Sequence, residues 1–278
     1  MENFLPSEST HTTSLAPDAT HLFLADAHLG ASTDKANNSG LEENLINLVE
    51  YCRKWGYYLH VLGDLFDYWM EYPDRTPPVG HRLRNAFKEY HQNVGATLYV
   101  TGNHDNWDWY HFKSLGFDVE HECRLLKLGG LHLLALHGDG LQDKRWNLPR
   151  PLLHRMLRNH YFIKFYQKVL PPKAGWHLMR LFSGTSRWGE LHSMEKKQHK
   201  LNEWAEHNLN KHDLDGILSG HDHKPRKLRF NGNFLLNPGS FQLFHTLGMY
   251  TSGQFKIVTW SETEGLSDYT KKYYLNRS

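Results

Sequence analysis

His21-Leu22-Phe23-Leu24-Ala25 is an apolar run of strand length that leads directly into Asp26 and His28. Leu41 to Trp55 repeats its apolar positions at helical spacing, and Tyr57 to Leu62 is another short apolar run, ending at Gly63-Asp64. Val79 to Asn93 is helical again, and Ala96 to Val100 is a third run, ending at Thr101-Gly102-Asn103. Strand-length runs alternating with helix-length amphipathic segments predict parallel strands joined by crossover helices. In open α/β sheets ligands sit just beyond the carboxyl ends of such strands, and here each run is followed at once by polar residues.

The texture changes from Glu122. Arg124 to Leu128 and Leu131 to Leu136 predict a hairpin about Gly129-Gly130, Glu190 to Lys211 a helix, and Ile217-Leu218 a strand leading into Gly220. Lys227 to Phe230 and Asn233 to Leu236 predict a second hairpin, because Asn231-Gly232 suits the two positive φ angles of a tight turn. Phe241 to Trp260 predicts further strand pairs. Successive hairpins imply a second sheet packed on the first. No internal repeat is visible, and no linker divides residues 20–278, which read as one domain behind a Ser/Thr-rich flexible leader at 1–19.

One segment, about Gln142 to Arg187, fits neither pattern. Leu152, Leu153, Met156, Leu157, Tyr161, Phe162, Phe165, Tyr166, Val169 and Leu170 recur at helical spacing, with Arg150, Arg155, Arg158, Lys164 and Lys168 between them. A second amphipathic piece follows Pro171-Pro172, carries Trp176, Leu178, Met179, Leu181 and Phe182, and ends at Ser183-Gly184-Thr185-Ser186-Arg187. The segment reads as a basic helical insertion. Its apolar face suits acyl chains or a membrane surface and its cationic face suits anionic head groups and a diphosphate, whereas an ordinary packed hairpin would bury the apolar face.

Charge sharpens this picture. Gly140 to Lys200 holds 13 Lys/Arg against 3 Asp/Glu, a net +10, while the whole chain of 278 residues carries +2. The rest of the chain is therefore acidic, and the positive charge is concentrated in the insertion. Such a patch can be a nucleic-acid footprint, but its interleaving with a regular apolar face favours lipid and disfavours nucleic acid. No apolar run approaches the ~20 residues that span a bilayer, and the first 19 residues lack the basic and apolar regions of a signal peptide. Cys52 and Cys123 stand far apart in sequence with no paired-cysteine motif, which reads as two reduced thiols in a cytoplasmic protein.

Histidine is abundant, with 21 copies, and several stand in short motifs placed after the expected strands. These are Asp26-Ala27-His28, Gly63-Asp64-Leu65-Phe66-Asp67, Gly102-Asn103-His104-Asp105, His137-Gly138-Asp139, Gly220-His221-Asp222-His223 and Asn237-Pro238-Gly239-Ser240. A donor set of nitrogen and oxygen without thiolate favours Mn²⁺, Fe or Zn²⁺ over Cu⁺ or an iron–sulfur cluster. Asp67 reads equally as a residue that orients a ligating histidine or as a helix cap, and Asp139 carries the same ambiguity.

The order and residue types of these motifs resemble the calcineurin-like metallophosphoesterases. The resemblance implies a four-layer α-β-β-α sandwich holding two metal ions, with Mn²⁺ expected. Carried over, Asp26, His28 and His223 would serve the first metal, Asn103, His137 and His221 the second, and Asp64 both. It also implies phosphoester hydrolysis by attack of a metal-bridging hydroxide, with His104 and Asp105 as a pair near the leaving group. Gly63-Asp64-Leu65-Phe66-Asp67-Tyr68-Trp69 and the insertion look like the branch that hydrolyses UDP-2,3-diacylglucosamine in lipid A synthesis. That branch has arginine where His104 stands. The expected partner is thus a small-molecule or lipid-linked nucleotide, with Arg150, Arg155, Arg158 and Arg187 as candidate contacts and peripheral contact with an anionic inner-membrane surface. A nucleotide, cyclic nucleotide or phosphomonoester hydrolase is the alternative.

Overall fold

A computed structural model describes residues 12–32 and 34–269, with the side chains of 35, 182 and 184–194 also outside the described set. In chain order the elements are β1 (Thr12–Ser14), β2 (His21–Leu24), α1 (Lys35–Trp55), β3 (Tyr58–Leu62), α2 (His81–Val94), β4 (Leu98–Val100), α3 (His111–Ser114) and β5 (Asp118–Glu120). The hairpin β6 (Cys123–Leu128) and β7 (Leu131–Leu136) comes next, then a 3₁₀ turn at Lys144–Trp146, α4 (Leu152–Leu157), α5 (His160–Val169) and α6 (Pro172–Lys211). The remainder is β8 (Gly216–Leu218), β9 (Arg226–Phe230), β10 (Asn233–Asn237), α7 (Phe241–Phe244), β11 (Thr246–Thr251), β12 (Gln254–Ser261) and β13 (Gly265–Asp268).

Two sheets form, in the orders β1-β6-β7-β8-β10-β9 and β13-β12-β11-β2-β3-β4-β5. Side chains alternate across each strand, and that parity builds the layers. Phe23, Ala25 and Leu62 meet Leu133, Ala135, Leu218 and Leu236 between the sheets. Leu22, Leu24, Leu59 and Val61 turn the other way, onto Leu45, Leu48 and Val49 of α1 and Leu83 and Phe87 of α2. Leu134, Leu136 and Ile217 face Leu201, Trp204, Ala205 and Leu209 of α6. The result is an α-β-β-α sandwich, as the motifs implied. Cys52 and Cys123 are buried in the two different outer cores and form no disulfide with each other.

Local chemistry sets the element ends. The Asp34 side chain accepts from Ala36 N to start α1, and Gly56 in the left-handed region ends it, the usual roles of an N-cap carboxylate and a C-terminal glycine. Asn231 and Gly232 both have positive φ, the geometry of a tight hairpin turn.

Three expectations are corrected. Residues 1–11 lie outside the described set; Thr12–Ser14, within the expected flexible leader, is a strand paired parallel with Leu125–Lys127. Residues 241–244 are a helical turn, because the Ser240 hydroxyl accepts from Leu243 N and caps it. The insertion has no end near 187, since α6 runs unbroken for 40 residues from the insertion into the six-stranded sheet's outer core. Glycine costs a helix only about 1 kcal/mol, and Gly184 with its Ser/Thr neighbours does not stop this one. The domain's last residues, 270–278, are outside the described set.

Burial also sets a pH response. His91 donates and accepts within the core, with Nδ1 2.7 Å from Leu115 O and Nε2 2.8 Å from the Thr97 hydroxyl. Burial lowers its pKa to about 4. The folded chain therefore refuses a proton that the unfolded chain accepts between 6.5 and about 4, so stability falls as pH drops through that window. The loss is on the order of 3 kcal/mol for this residue. Thermal melts of the wild type and His91→Gln across that range check it, and the variant should show a shallower acid decline. Parallel declines would remove His91 as a cause.

Candidate metal centre

Each sheet supplies three strand ends to one edge of the sandwich. β2, β3 and β4 run parallel in one sheet, and β7, β8 and β10 run parallel in the other. Their carboxyl ends deliver Asp26/His28, Asp64, Asn103, His137, His221/His223 and Asn237 in that order. The two halves are stitched across the gap. His221 N donates to Asp26 Oδ2 at 2.9 Å, Ser240 Oγ to Asp26 O at 2.8 Å, and Phe241 N to Ala25 O at 3.1 Å.

Asp26, His28, Asp64, His221 and His223 all have positive φ, between 47° and 74°. A non-glycine residue pays about 1–2 kcal/mol to sit there, and such strain clusters at functional sites. The short Asp-x-His and His-x-His spacings therefore do not work through extended backbone, in which residues two apart project the same way. Left-handed backbone turns each side chain inward.

Close approach requires glycine at two places. A Cβ on Gly63 would collide with the His137 ring, and one on Gly102 with the Asp64 carboxylate.

Among the described residues three sets of donors converge, each with one ligand atom per residue within 4.8 Å of the others: Asp26/His28/His223, His28/Asp64/His104 and Asp26/Asp64/His137. His28 Nε2 faces His223 Nε2 at 3.2 Å, His223 Nε2 is 3.6 Å from Asp26 Oδ1, and His28 Nε2 is 3.9 Å from Asp64 Oδ2. On the other side His137 Nε2 is 3.2 Å from both Asp64 Oδ2 and Asn103 Oδ1. The His221 ring lies edge-on to His137, with centroids 5.1 Å apart.

The histidines are aimed by their far nitrogens. His137 Nδ1 donates to Leu62 O at 2.8 Å, and His104 Nδ1 to Asp67 O at 2.8 Å. His28 Nδ1 is 3.5 Å from Asp67 Oδ1. With Nδ1 of His137 and His104 committed to a carbonyl, Nε2 is the nitrogen each presents to the centre, while His28 Nδ1 faces the Asp67 carboxylate at ion-pair distance. This settles Asp67, which is fully buried beside His28 and caps no helix: α2 begins behind Gly80.

The expected His104–Asp105 pair is corrected. Asp105 accepts from Tyr99 Oη at 2.6 Å, Gly102 N at 2.7 Å and Leu65 N at 2.9 Å, so it shapes the loop from inside the core. The partner of His104 Nδ1 is the Asp67 carbonyl.

The arginines are also reassigned. Asp139 does not orient His137. It is 3.2 Å from Arg158 Nη2 and 3.5 Å from Arg150 Nε; burial opposes its charge, but these guanidiniums hold it well below the carboxylate range. Arg150 also donates to Glu122 and to Gly140 O, and Arg158 to His121 O and Gly102 O. Both guanidiniums fasten the insertion to two motif loops, because a buried charge needs partners. Arg155 is exposed, with Nε donating to Arg150 O. The Arg187 side chain lies outside the described residues.

Residues that the sequence reading passed over complete the frame. Asp222 makes a two-point ion pair with Arg226 at 2.6 and 2.7 Å. Asn237 Nδ2 donates to Gly220 O and Asp222 Oδ1. Asn237 thus sets the His221-Asp222-His223 loop without facing the centre. The buried Ser183 hydroxyl of α6 donates to Asp67 Oδ2 at 2.5 Å. An Arg four positions after Asp222 was a visible signal; nothing in the sequence marked Ser183.

The electrostatics fit cations. Burial opposes charge on Asp64 and His137, yet their proximity outweighs it, holding Asp64 well below the carboxylate range and pushing His137 up to about 10. Burial raises Asp26 well above its ordinary value and lowers His223 and His221 well below theirs. Without metal the site balances its charge with protons on His137 and Asp26, and divalent ions, which suit this oxygen and nitrogen set, would displace such protons on binding.

The family model for calcineurin-like phosphoesterases matches residues 20–225. A UDP-2,3-diacylglucosamine hydrolase of Porphyromonas gingivalis is 28% identical over 216 residues, covering 72% of this chain and 82% of that protein. One of Vibrio parahaemolyticus is 25% identical over 217 residues, covering 77% and 85%. Among solved structures, a phosphoesterase from E. coli aligns with a TM-score of 0.43 at 16% identity, covering 90% of this chain and 97% of that one. With its residues from 20 to 225 matched and its motifs gathered at one edge of the sandwich, this chain belongs to the calcineurin-like phosphoesterase family of metal-dependent hydrolases.

Proposed function

We propose that the chain hydrolyses the diphosphate of UDP-2,3-diacylglucosamine to UMP and 2,3-diacylglucosamine 1-phosphate. The observation that carries this is the insertion's surface. Ile163 and Tyr166 bury against Met70, Tyr72 and Trp107, yet Leu152 and Tyr161 are 82% exposed and Phe165 is 64% exposed. Leu153, Met156, Val169 and Leu181 are exposed as well. Arg155, Lys164, Lys168 and Lys173 stand exposed among them. A hairpin that only packed on the core would bury its apolar residues, whereas this one keeps a second apolar face, ringed by cations, in solvent. Relatives named for this substrate point the same way. No helix of the described residues is long and apolar enough to cross a membrane, so the membrane contact we propose is peripheral.

Asp26, His28 and His223 would hold one cation, Asn103, His137 and His221 the other, and Asp64 both, with Mn²⁺ the ion proposed. When bound, two such ions supply an acidified water and screen phosphoryl charge. The chain's own work is geometric: left-handed backbone aims the carboxylates, and main-chain acceptors at Leu62 and Asp67 fix which imidazole nitrogen faces the substrate. Cleavage adds the oxygen of water to phosphorus and breaks its bond to the bridging oxygen, which departs with the second phosphate. That leaving group is a stabilised anion and needs no proton.

His104 favours a second reading, hydrolysis of esters with alkoxide leaving groups. Its Nδ1 is committed to Asp67 O, so a charged ring would donate from Nε2. One assay separates the two. UMP release from UDP-2,3-diacylglucosamine should far exceed turnover of an alkyl phosphodiester. His104→Arg should stay within about 10-fold on the diphosphate and lose about 10²-fold or more on the diester, because arginine gives no proton. An untouched lipid substrate with rapid diester cleavage would move the assignment to the second reading.

A further inference from the structure

We propose that Ser183 is a positioning residue for the first metal ion: through Asp67 it sets the His28 ring, and with it how tightly that ion is held. The inference rests on the ligand assignment proposed above.

Trp176, Arg180 and Ser183 are spaced four and three residues apart, so they share one face of α6. Trp176 Nε1 donates to Met70 O at 2.8 Å, Arg180 Nη2 to Ser32 O at 3.0 Å, and Ser183 Oγ to Asp67 Oδ2 at 2.5 Å. All three acceptors belong to the loops that follow Asp26/His28 and Asp64. This helix face therefore braces the two loops that carry most of the first ion's ligands. Farther along the same helix, Leu201, Trp204, Ala205 and Leu209 are packed into the core. One end of α6 is fixed, and the other lies with α4 and α5 in the insertion that presents the exposed apolar face.

Asp67 is where that brace reaches the metal site. It is fully buried, with one oxygen taking the Ser183 hydroxyl and the other 3.5 Å from His28 Nδ1. A hydroxyl on a buried carboxylate is a strong, short, charge-assisted bond, and it fixes the carboxylate plane that the imidazole meets. Removing it takes away a bond that sets the carboxylate's orientation, and loosens the approach of His28 Nε2 to the point shared with His223 and Asp26. Changes to groups that orient a metal-binding histidine typically cost about 10–100-fold in affinity.

The test titrates the metal-stripped full chain with Mn²⁺, following both ions by calorimetry and by the spin signal of free manganese. Ser183→Ala should weaken one ion about 10–100-fold and leave the other within about threefold. Ser183→Thr should restore it, and Arg180→Ala, which loses only the Ser32 contact, should leave both ions near wild type. Wild-type affinities in Ser183→Ala, with helix content unchanged by circular dichroism, overturn the proposal. So does equal weakening in Arg180→Ala, which would trace the effect to general seating of the helix. His28→Ala, run alongside, isolates the underlying assignment: if it still binds two ions normally, the ligand reading fails.

Discussion

Asp64→Ala is expected to reduce hydrolysis of every substrate by about 10³-fold or more, a loss in the range seen when a key charge-stabilising group is removed. Asp64 is the hub of the centre. Oδ1 accepts from His104 N at 2.9 Å, and Oδ2 lies 3.2 Å from His137 Nε2 and 3.9 Å from His28 Nε2. The substitution removes the carboxylate that lies between His137 and His28 and leaves His137, pushed up to about 10 by it, without its main counter-charge. Metal stoichiometry should fall from two ions to one or none, which metal analysis after gel filtration measures. Retained turnover with two bound ions would end the two-metal reading.

The second large effect is selective. Changing Leu152, Leu153, Tyr161 and Phe165 together to serine should lower kcat/KM for UDP-2,3-diacylglucosamine by about 10²-fold, at about 0.8 kcal/mol per apolar group no longer covered by acyl chain. Bis-p-nitrophenyl phosphate, which has no acyl chain, should be cleaved at the wild-type rate. All four side chains are mostly exposed, so the fold loses little. Parallel losses on both substrates would place the defect in the catalytic edge, and unchanged lipid kinetics would remove the apolar face from substrate binding. These point changes are cleaner than excising 142–187. That cut would sever α6, whose distal half covers the six-stranded sheet, and would remove the Arg150 and Arg158 fastenings of two motif loops.

Those fastenings mark where sequence reasoning stopped. Composition made the insertion basic and amphipathic, and both properties hold. Yet which arginine is spent on Asp139 and which faces solvent depends on where α4 lands relative to the His137-Gly138-Asp139 loop, and periodicity carries no such information. His104 and Asp105 mislead in the same way. They are adjacent in the chain, but the turn sends the Asp105 carboxylate to Tyr99, Gly102 and Leu65 and gives His104 to Asp67 O.

The sequence alone determined the layering and the chemistry. Strand-length apolar runs alternating with amphipathic helices predicted a parallel sheet with crossover helices, the later hairpins a second sheet packed on it, and the family resemblance of the motifs the α-β-β-α layering. Polar motifs at the carboxyl end of those strands dictate a donor-rich edge of nitrogen and oxygen. The Asn231-Gly232 turn and the end of α1 at Trp55 were also legible, whereas its start at Lys35 lies six residues before the first apolar position read as helical. The tertiary structure decided what depends on distant segments meeting: the left-handed turns that aim Asp26, His28, Asp64, His221 and His223, and the cross-sheet stitching by Ser240. It also decided the capture of Arg150 and Arg158 and the reach of Ser183 to Asp67, 116 positions away. A pattern with a period of two or 3.6 residues states which face of an element is buried; it does not state which neighbour will lie against that face.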